Sequence, residues 1–326
     1  MSMLINKGYA QLCTTQSNST NWKGWFVPHH GTYHPNKPDK IRVVLDCSAR
    51  FKEVALNTEL LQGPDLANLQ IGVFLRFREE EVPFTADIEC MFYQVWIPPE
   101  QRCYVRFLWW PDGDLSAEAC EYEMCVHIFG AISSPGVANF ALRKCATDYR
   151  VKYGELAYQT MMKNFYVDDL LKSVCSEKEA ASLASSVDGM CGSGGFNLTK
   201  FTSPSRPLLE SLPTEKRANF IDDVSMPKGE VVDRPLGVTW CLERDTLKFR
   251  IMIENKPPTR IGMLSTISTT YDPDGTAGLF LLGGRKILQE VTAEKVSWDE
   301  KITDQYIDRW EKWKDDLKTL QHLEIP

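Results

Sequence analysis

Two adjacent carboxylates, Asp168 and Asp169, sit inside the stretch Asn164-Phe165-Tyr166-Val167-Asp168-Asp169-Leu170-Leu171-Lys172-Ser173-Val174. Apolar, β-favouring runs flank them. Asp is poor within a strand but at home in a turn, so the stretch predicts a tight hairpin with the carboxylates at its tip. Two carboxylates held this close resist full ionisation unless a cation lies between them. A hard divalent ion, Mg²⁺ or Mn²⁺, suits such oxygen donors. A plain Asp-Asp turn between strands carries the same pattern, so the pair gains chemical meaning only from residues elsewhere.

A further acid lies in Phe84-Thr85-Ala86-Asp87-Ile88, which reads as a buried strand. An Asp left charged and unpaired there is costly, so Asp87 needs a partner or an exposed strand end. A metal ion shared with another carboxylate would serve. Lys40-Ile41-Arg42-Val43-Val44-Leu45-Asp46 predicts a strand with Lys40 and Arg42 on one face. That face is either a solvated edge or a pair of cations directed at phosphate. His29, His30 and His34 have no cysteine close by and read as loop histidines rather than zinc ligands.

The elements that must position these groups follow from turn and cap signals. After Gly63-Pro64, Asp65 is placed to cap a helix carrying Leu66, Leu69, Val73 and Phe77 toward Pro83. Strands over Cys103–Trp110 and Tyr122–Phe129 are joined across Pro111-Asp112-Gly113-Asp114. Ser134-Pro135 predicts a capped, proline-opened helix to about Arg150, with Ala138, Ala141, Leu142 and Cys145 inward. Ser176-x-x-Glu179 is a capping box for the next helix, which ends at Gly192–Gly195. Lys200 lies in a short strand or loop over Phe196–Phe201, and a Ser/Pro-rich linker runs to about Lys228. Leu236–Trp240 and Thr246–Ile251 predict a second hairpin. Beyond Asn255-Lys256-Pro257-Pro258, the residues Ile302, Tyr306, Trp310, Trp313, Leu317 and Leu320 form one stripe of an amphipathic helix.

The 326 residues suffice for two domains or one domain with subdomains, and 43% hydrophobic with 25% charged residues is an ordinary globular composition. A net charge of −7 argues against a wholly basic surface, though not against a local basic groove. Ten cysteines without a CxxC pair read as reduced, mostly buried thiols. With no apolar run long enough to span a bilayer and no secretory-type start, the expectation is an intracellular, cytoplasmic or nuclear chain without a membrane partner.

In order, the chain offers a basic strand, an Asp in a buried strand, a Pro-opened helix, a Tyr-x-Asp-Asp hairpin, a lysine segment and a second hairpin. This order resembles a reverse transcriptase. More narrowly, it resembles the polymerase domain of Pao-type (BEL/Pao) long-terminal-repeat retrotransposons. The residues that carry the resemblance are Val27-Pro28-His29-His30-Gly31, Arg42–Ala49, Leu56–Pro64, Ala86-Asp87-Ile88-Glu89-Cys90-Met91-Phe92 and Phe129–Pro135. Tyr166-Val167-Asp168-Asp169, Gly194–Lys200 and Leu236–Trp240 continue it, with Trp298-Asp299 and Trp310-x-x-Trp313 beyond.

The resemblance implies an α+β, right-hand polymerase with an antiparallel palm sheet backed by helices. Residues 1–254 would hold fingers (about 1–82 and 98–128) and palm (about 83–97 and 129–254), and 255–326 a helical thumb or connection. It implies catalysis by Asp87, Asp168, Asp169 and Lys200, with two Mg²⁺ (or Mn²⁺) held by Asp87, Asp168, Asp169 and the carbonyl of Ile88. Lys40, Arg42, Phe92, Phe129 and Gly130 would meet the incoming dNTP, Phe92 as a gate against a 2′-hydroxyl. Leu236 and Gly237 would form the primer grip. The partners implied are an RNA or DNA template with its primer, and dNTPs.

Two departures stand out. Cys90 replaces the family's usual lysine, and Asp272–Gly278 with Gly283-Gly284 is richer in Asp and Gly than the family pattern. No protease, ribonuclease H or integrase segment is recognised, so the chain reads as a processed domain or an isolated remnant. The alternative function is a catalytically inactive or domesticated module that binds nucleic acid or protein.

Overall fold

The computed structural model describes residues 1–14, 23–34, 37–218, 232–273 and 275–326, with the side chains of residues 34, 37–40 and 232 outside the description. The chain is a mixed α/β protein of small antiparallel sheets and helices, divided into two compact units. The first comprises Met1–Asn68, Ile88–Asp168 and Leu183–Leu198, and the second Leu69–Asp87, Asp169–Ser182 and Thr199–Pro326. Among the described residues no helix is long and apolar enough to cross a membrane.

In the first unit, Cys120–Met124 pairs antiparallel with both Ala10–Leu12 and Arg106–Trp109. Alternating apolar side chains of these strands, Phe107, Tyr122 and Met124 among them, enter a core with Leu45, Val105 and Ile128. His29–His34 pairs with Lys37–Leu45 as a two-stranded ribbon, so the histidines lie on a strand rather than a loop. The helix Ser134–Tyr153 turns Ala138, Leu142 and Cys145 inward as its apolar spacing predicts, with Ala146 beside them and the expected Ala141 only half-buried. Its start differs from the expected cap. Ser134 is fully buried and donates its hydroxyl to the Ile128 carbonyl at 2.8 Å, leaving Ser133 at the cap position and Pro135 in the first turn. Asp65 also does not cap a helix: its carboxylate accepts from the Ala67 amide at 3.0 Å in a local turn.

In the second unit, the helix therefore begins later, over Gln70–Phe77, burying Val73, Phe74 and Phe77. Val82–Ile88 and Asp169–Val174 pair antiparallel in the register Val82↔Val174 through Asp87↔Asp169. Leu198–Thr202 flanks Val82–Ile88 on its other side. A second sheet runs Val232–Asp233, Thr239–Cys241, Thr246–Lys248, Glu324–Ile325. The hairpin expected over Leu236–Ile251 is shorter than its apolar residues suggested. Pro235–Gly237 is a turn, with Leu236 at φ +50° and Gly237 at φ +85°. The Ser/Pro-rich linker expected toward Lys228 lies largely outside the described residues, as does Asp274.

Three helices, Arg260–Ser268, Gly278–Ala293 and Asp304–Lys318, close on a core of their own. The predicted stripe of Ile302, Tyr306, Trp310, Trp313, Leu317 and Leu320 is buried throughout.

Candidate active site

The hairpin tip is built under local strain. Val167 and Asp168 are the two turn residues between Phe165–Tyr166 and Asp169–Val174. A two-residue hairpin connection needs a positive φ at its first central residue, a place glycine usually fills. Here Val167 adopts φ +57°, a rare conformation for a β-branched residue. In the first unit the Ile88 amide donates to the Asp168 carbonyl at 2.9 Å. In the second unit Asp87 stands opposite Asp169 across neighbouring strands. Directly opposed residues have Cβ atoms about 4.5–5.5 Å apart, close enough for like charges to repel.

Asp87 has a partner within the chain. Lys200 Nζ lies 3.0 Å from Asp87 Oδ1, while the Asp87 side chain is 24% and that of Lys200 66% exposed. The ammonium sets a positive charge beside the Asp87 carboxylate. Lys200 itself sits at φ +55°, and the neighbouring Thr199 hydroxyl donates to the Asp87 carbonyl at 3.2 Å. These groups border a cavity of about 220 Å³ whose wall includes Thr85, Asp87, Asp169, Lys200, Asp233 and Arg234.

The donor set suits a hard cation in part. Opposed carboxylates and a backbone carbonyl are the oxygen ligands Mg²⁺ takes, and Mg²⁺ commonly completes its shell with waters and substrate phosphates. Among the described residues no group of three or more His, Cys, Asp or Glu gathers as a self-sufficient metal cage.

The dNTP-facing residues expected from the sequence gather in the first unit. Phe92 and Phe129 pack ring to ring at 4.7 Å, Tyr93 meets Phe129 edge-on at 5.2 Å, and the Arg42 guanidinium lies 5.9 Å above the Phe129 ring. Gly130 is dictated by space. Its φ is +104°, and a Cβ there would stand 2.5 Å from the Leu45 carbonyl oxygen. Lys40 lies in the strand Lys37–Leu45, its side chain outside the described residues.

Several supporting residues escaped the sequence reading. Asn57 donates to the Gly130 carbonyl at 2.9 Å and accepts from the Ile132 amide at 2.9 Å, clamping that loop. Its place within Leu56-Asn57-Thr58-Glu59 was visible, but its role was not. Glu89 accepts from Lys7 at 2.7 Å and from Asn197 at 2.9 Å. Asp233 accepts from the Thr85 hydroxyl at 3.1 Å. These contacts bridge long sequence separations, and periodicity carries no signal for them.

Comparison with known proteins adds a fold and a segment. Three solved complexes of the foamy viral protease-reverse transcriptase share the fold. The complex with dsDNA matches at TM-score 0.59 with 15% identity, over 99% of this chain and 56% of that one. A dRH form with ds DNA matches at 0.56 and 15%, over 98% and 46%. The RNA/DNA hybrid complex matches at 0.56 and 14%, over 99% and 36%. This chain thus spans only 36–56% of the length of those chains. At such identity the likeness is one of fold: a mixed α/β fold resembling a region of a retroviral reverse transcriptase.

Residues 259–326 match the family model described as the Pao retrotransposon-like RNaseH-like domain. No curated protein sequence matches the chain. The family match corrects the expectation that no ribonuclease H-related part is present. It falls on the segment read as a thumb or connection, which of the motifs that carry the resemblance holds only Trp298-Asp299 and Trp310-x-x-Trp313. The segment consists of three helices around a Trp/Tyr core and one short strand, a helical pattern that does not by itself announce a ribonuclease H-like part.

Proposed function

We propose that this chain is the polymerase-bearing part of a retroelement reverse transcriptase, an RNA-directed DNA polymerase that adds deoxynucleotides from dNTPs to a primer 3′-hydroxyl. The observation that carries this reading is the cross-strand pair Asp87 and Asp169 with Lys200 on Asp87. It occurs in a fold shared with a protein whose solved complexes contain dsDNA or an RNA/DNA hybrid. The right-hand arrangement belongs to this reading, with fingers over about 1–82 and 98–128 and palm over about 83–97 and 129–254.

Asp87, the Ile88 carbonyl, Asp168 and Asp169 would hold Mg²⁺ or Mn²⁺. When bound, a pair of such ions neutralises the triphosphate and lowers the pKa of the primer hydroxyl. The chain's own residues do the rest. Arg42 offers paired N–H donors to the triphosphate, a geometry a lysine cannot reproduce. Phe92, braced by Phe129, sets a wall against a ribose 2′-hydroxyl. Gly130, held by Asn57, lets the backbone approach the nascent pair. Lys200 keeps a proton at Nζ, and on leaving Asp87 Oδ1 it delivers that proton to the departing pyrophosphate. The turn Leu236-Gly237 bears the primer end.

Primer extension on a homopolymer RNA template with Mg²⁺ or Mn²⁺ tests the proposal. Extension by the wild-type chain and none by Asp168→Asn is expected; equal extension by both would refute it. A second reading, a binding module without catalysis, rests on the departures of Asp272–Gly278 and Gly283-Gly284 from the family pattern and on the net charge of −7. That reading expects template–primer binding that ignores Asp87→Ala, with no extension under any divalent ion.

A further inference from the structure

The second unit holds another cavity, of about 330 Å³, within the size range of small-ligand pockets. Its wall carries Arg234, Lys248 and Arg250 against one carboxylate, Glu254, in a chain whose net charge is −7. These charges are not equivalent. The Lys248 side chain is 9% exposed and lies 3.3 Å from Glu324, and Glu254 lies 3.2 Å from Lys256. Arg250 differs: its Nε is buried with no hydrogen-bond partner among the described residues. Burial, and after it the positive charge of Arg250, push the Arg234 guanidinium pKa down. Two guanidiniums line one cavity, and a buried donor of one of them lacks an acceptor among the described residues. A tetrahedral oxyanion answers both, because guanidinium forks bind phosphate oxygens in parallel pairs.

The rest of the wall is apolar and aromatic. Met252 and Tyr271 line it and are about half exposed, at 49% and 50%. The Tyr271 hydroxyl accepts from Gln70 Nε2 at 2.8 Å, which fixes the ring's position. A fixed, half-exposed ring is a platform on which a planar base stacks.

We infer that this cavity binds a phosphate ester of nucleotide size, its phosphate between Arg234 and Arg250 and its organic part against Tyr271 and Met252. The phosphate comes either from a free nucleotide or from the phosphodiester of a strand. Gly237 of the proposed primer-grip turn also lines the cavity, so the strand source rests on the polymerase reading, whereas the free-nucleotide source rests on the cavity's own charges. Arg234 also borders the carboxylate cavity, so one side chain belongs to both walls.

Titration calorimetry on the full chain at low salt, with chelator to remove divalent ions, tests it. The probes are deoxyadenosine 5′-monophosphate, deoxyadenosine, and a short oligothymidylate. The phosphate-bearing probes are expected to bind at least about tenfold more tightly than deoxyadenosine, and Arg250→Gln to lose about tenfold or more. Arg250-dependent binding of the mononucleotide assigns the free-nucleotide source. Such dependence with the oligonucleotide alone assigns the strand.

Equal binding of deoxyadenosine and its monophosphate overturns the inference, as does binding of both phosphate probes that ignores Arg250. If Arg250→Gln does not unfold cooperatively, Arg250→Lys is read instead. It keeps stem and charge but not the fork; a several-fold loss supports the site and wild-type affinity overturns it. Because divalent ions are absent, failure here is separable from failure of primer extension.

Discussion

Two regions of the second unit are built on opposite terms. Around Asp87, Asp169 and Lys200, carboxylate faces carboxylate, a lysine adopts φ +55°, and the charged side chains remain partly exposed. In the C-terminal helices, the Trp310 and Trp313 rings stack at 4.6 Å, and the Trp313 Nε1 proton is donated to the Phe280 carbonyl at 2.8 Å. A Cβ added to Gly284 would stand 2.5 Å from Trp313. The first region keeps groups that stability alone would replace, and the second keeps only groups that pack. Strain and opposed charge persist only when the surrounding structure or a function holds them in place, which is why the first region carries the functional proposal.

The contrast is open to direct attack. The largest effect is expected from Asp87→Asn or Asp168→Asn, each lowering primer extension by about 10³-fold, the scale on which preorganised charge at a reacting centre is felt. Urea unfolding of these variants should stay close to wild type; extension that survives them would end the distinction. Trp313→Ala should do the reverse, costing about 3–5 kcal/mol in urea unfolding followed by circular dichroism. Its extension per folded molecule should change little. Gly284→Ala tests the same contact from the other side and should cost about 1–3 kcal/mol, since the added methyl overpacks the tryptophan.

Val167→Gly should move stability the opposite way. It relieves a β-branched residue at φ +57°, offset in part by the greater freedom of glycine in the unfolded chain. A net gain of up to about 1 kcal/mol is expected, and a loss would show that the turn is not strained. The smallest effect is on pH dependence in the first unit. Burial lowers the pKa of His127 and, with it as the leading cause, that of His29. A histidine whose folded pKa is depressed contributes stability above its unfolded pKa and loses it as pH falls toward the folded value. The melting temperature should therefore decline as pH falls below about 6.5, and His127→Phe should flatten that slope.

What could be read from the sequence was local. The Tyr166–Asp169 turn, the carboxylate within an apolar strand and the C-terminal stripe are patterns of adjacent or periodic residues. Alternation, turn preference and helical spacing act within a few residues of the chain, so they are visible before folding. Boundaries were less legible where a side chain found a better partner. Ser134 turned to the Ile128 carbonyl instead of capping, Asp65 closed a turn of its own, and Leu236 fell into a left-handed turn ahead of its strand.

The sequence by itself thus determined which carboxylates, aromatics and cations are present and the kinds of element that carry them. Only the tertiary structure decided that Asp169 opposes Asp87, that Lys200 pairs with Asp87, and that Asn57 clamps the Gly130 loop. It alone decided that Arg234 and Arg250 share one cavity. Those pairings join residues far apart in the chain. Register and long-range contact arise from the packing of whole elements, and no local pattern encodes them.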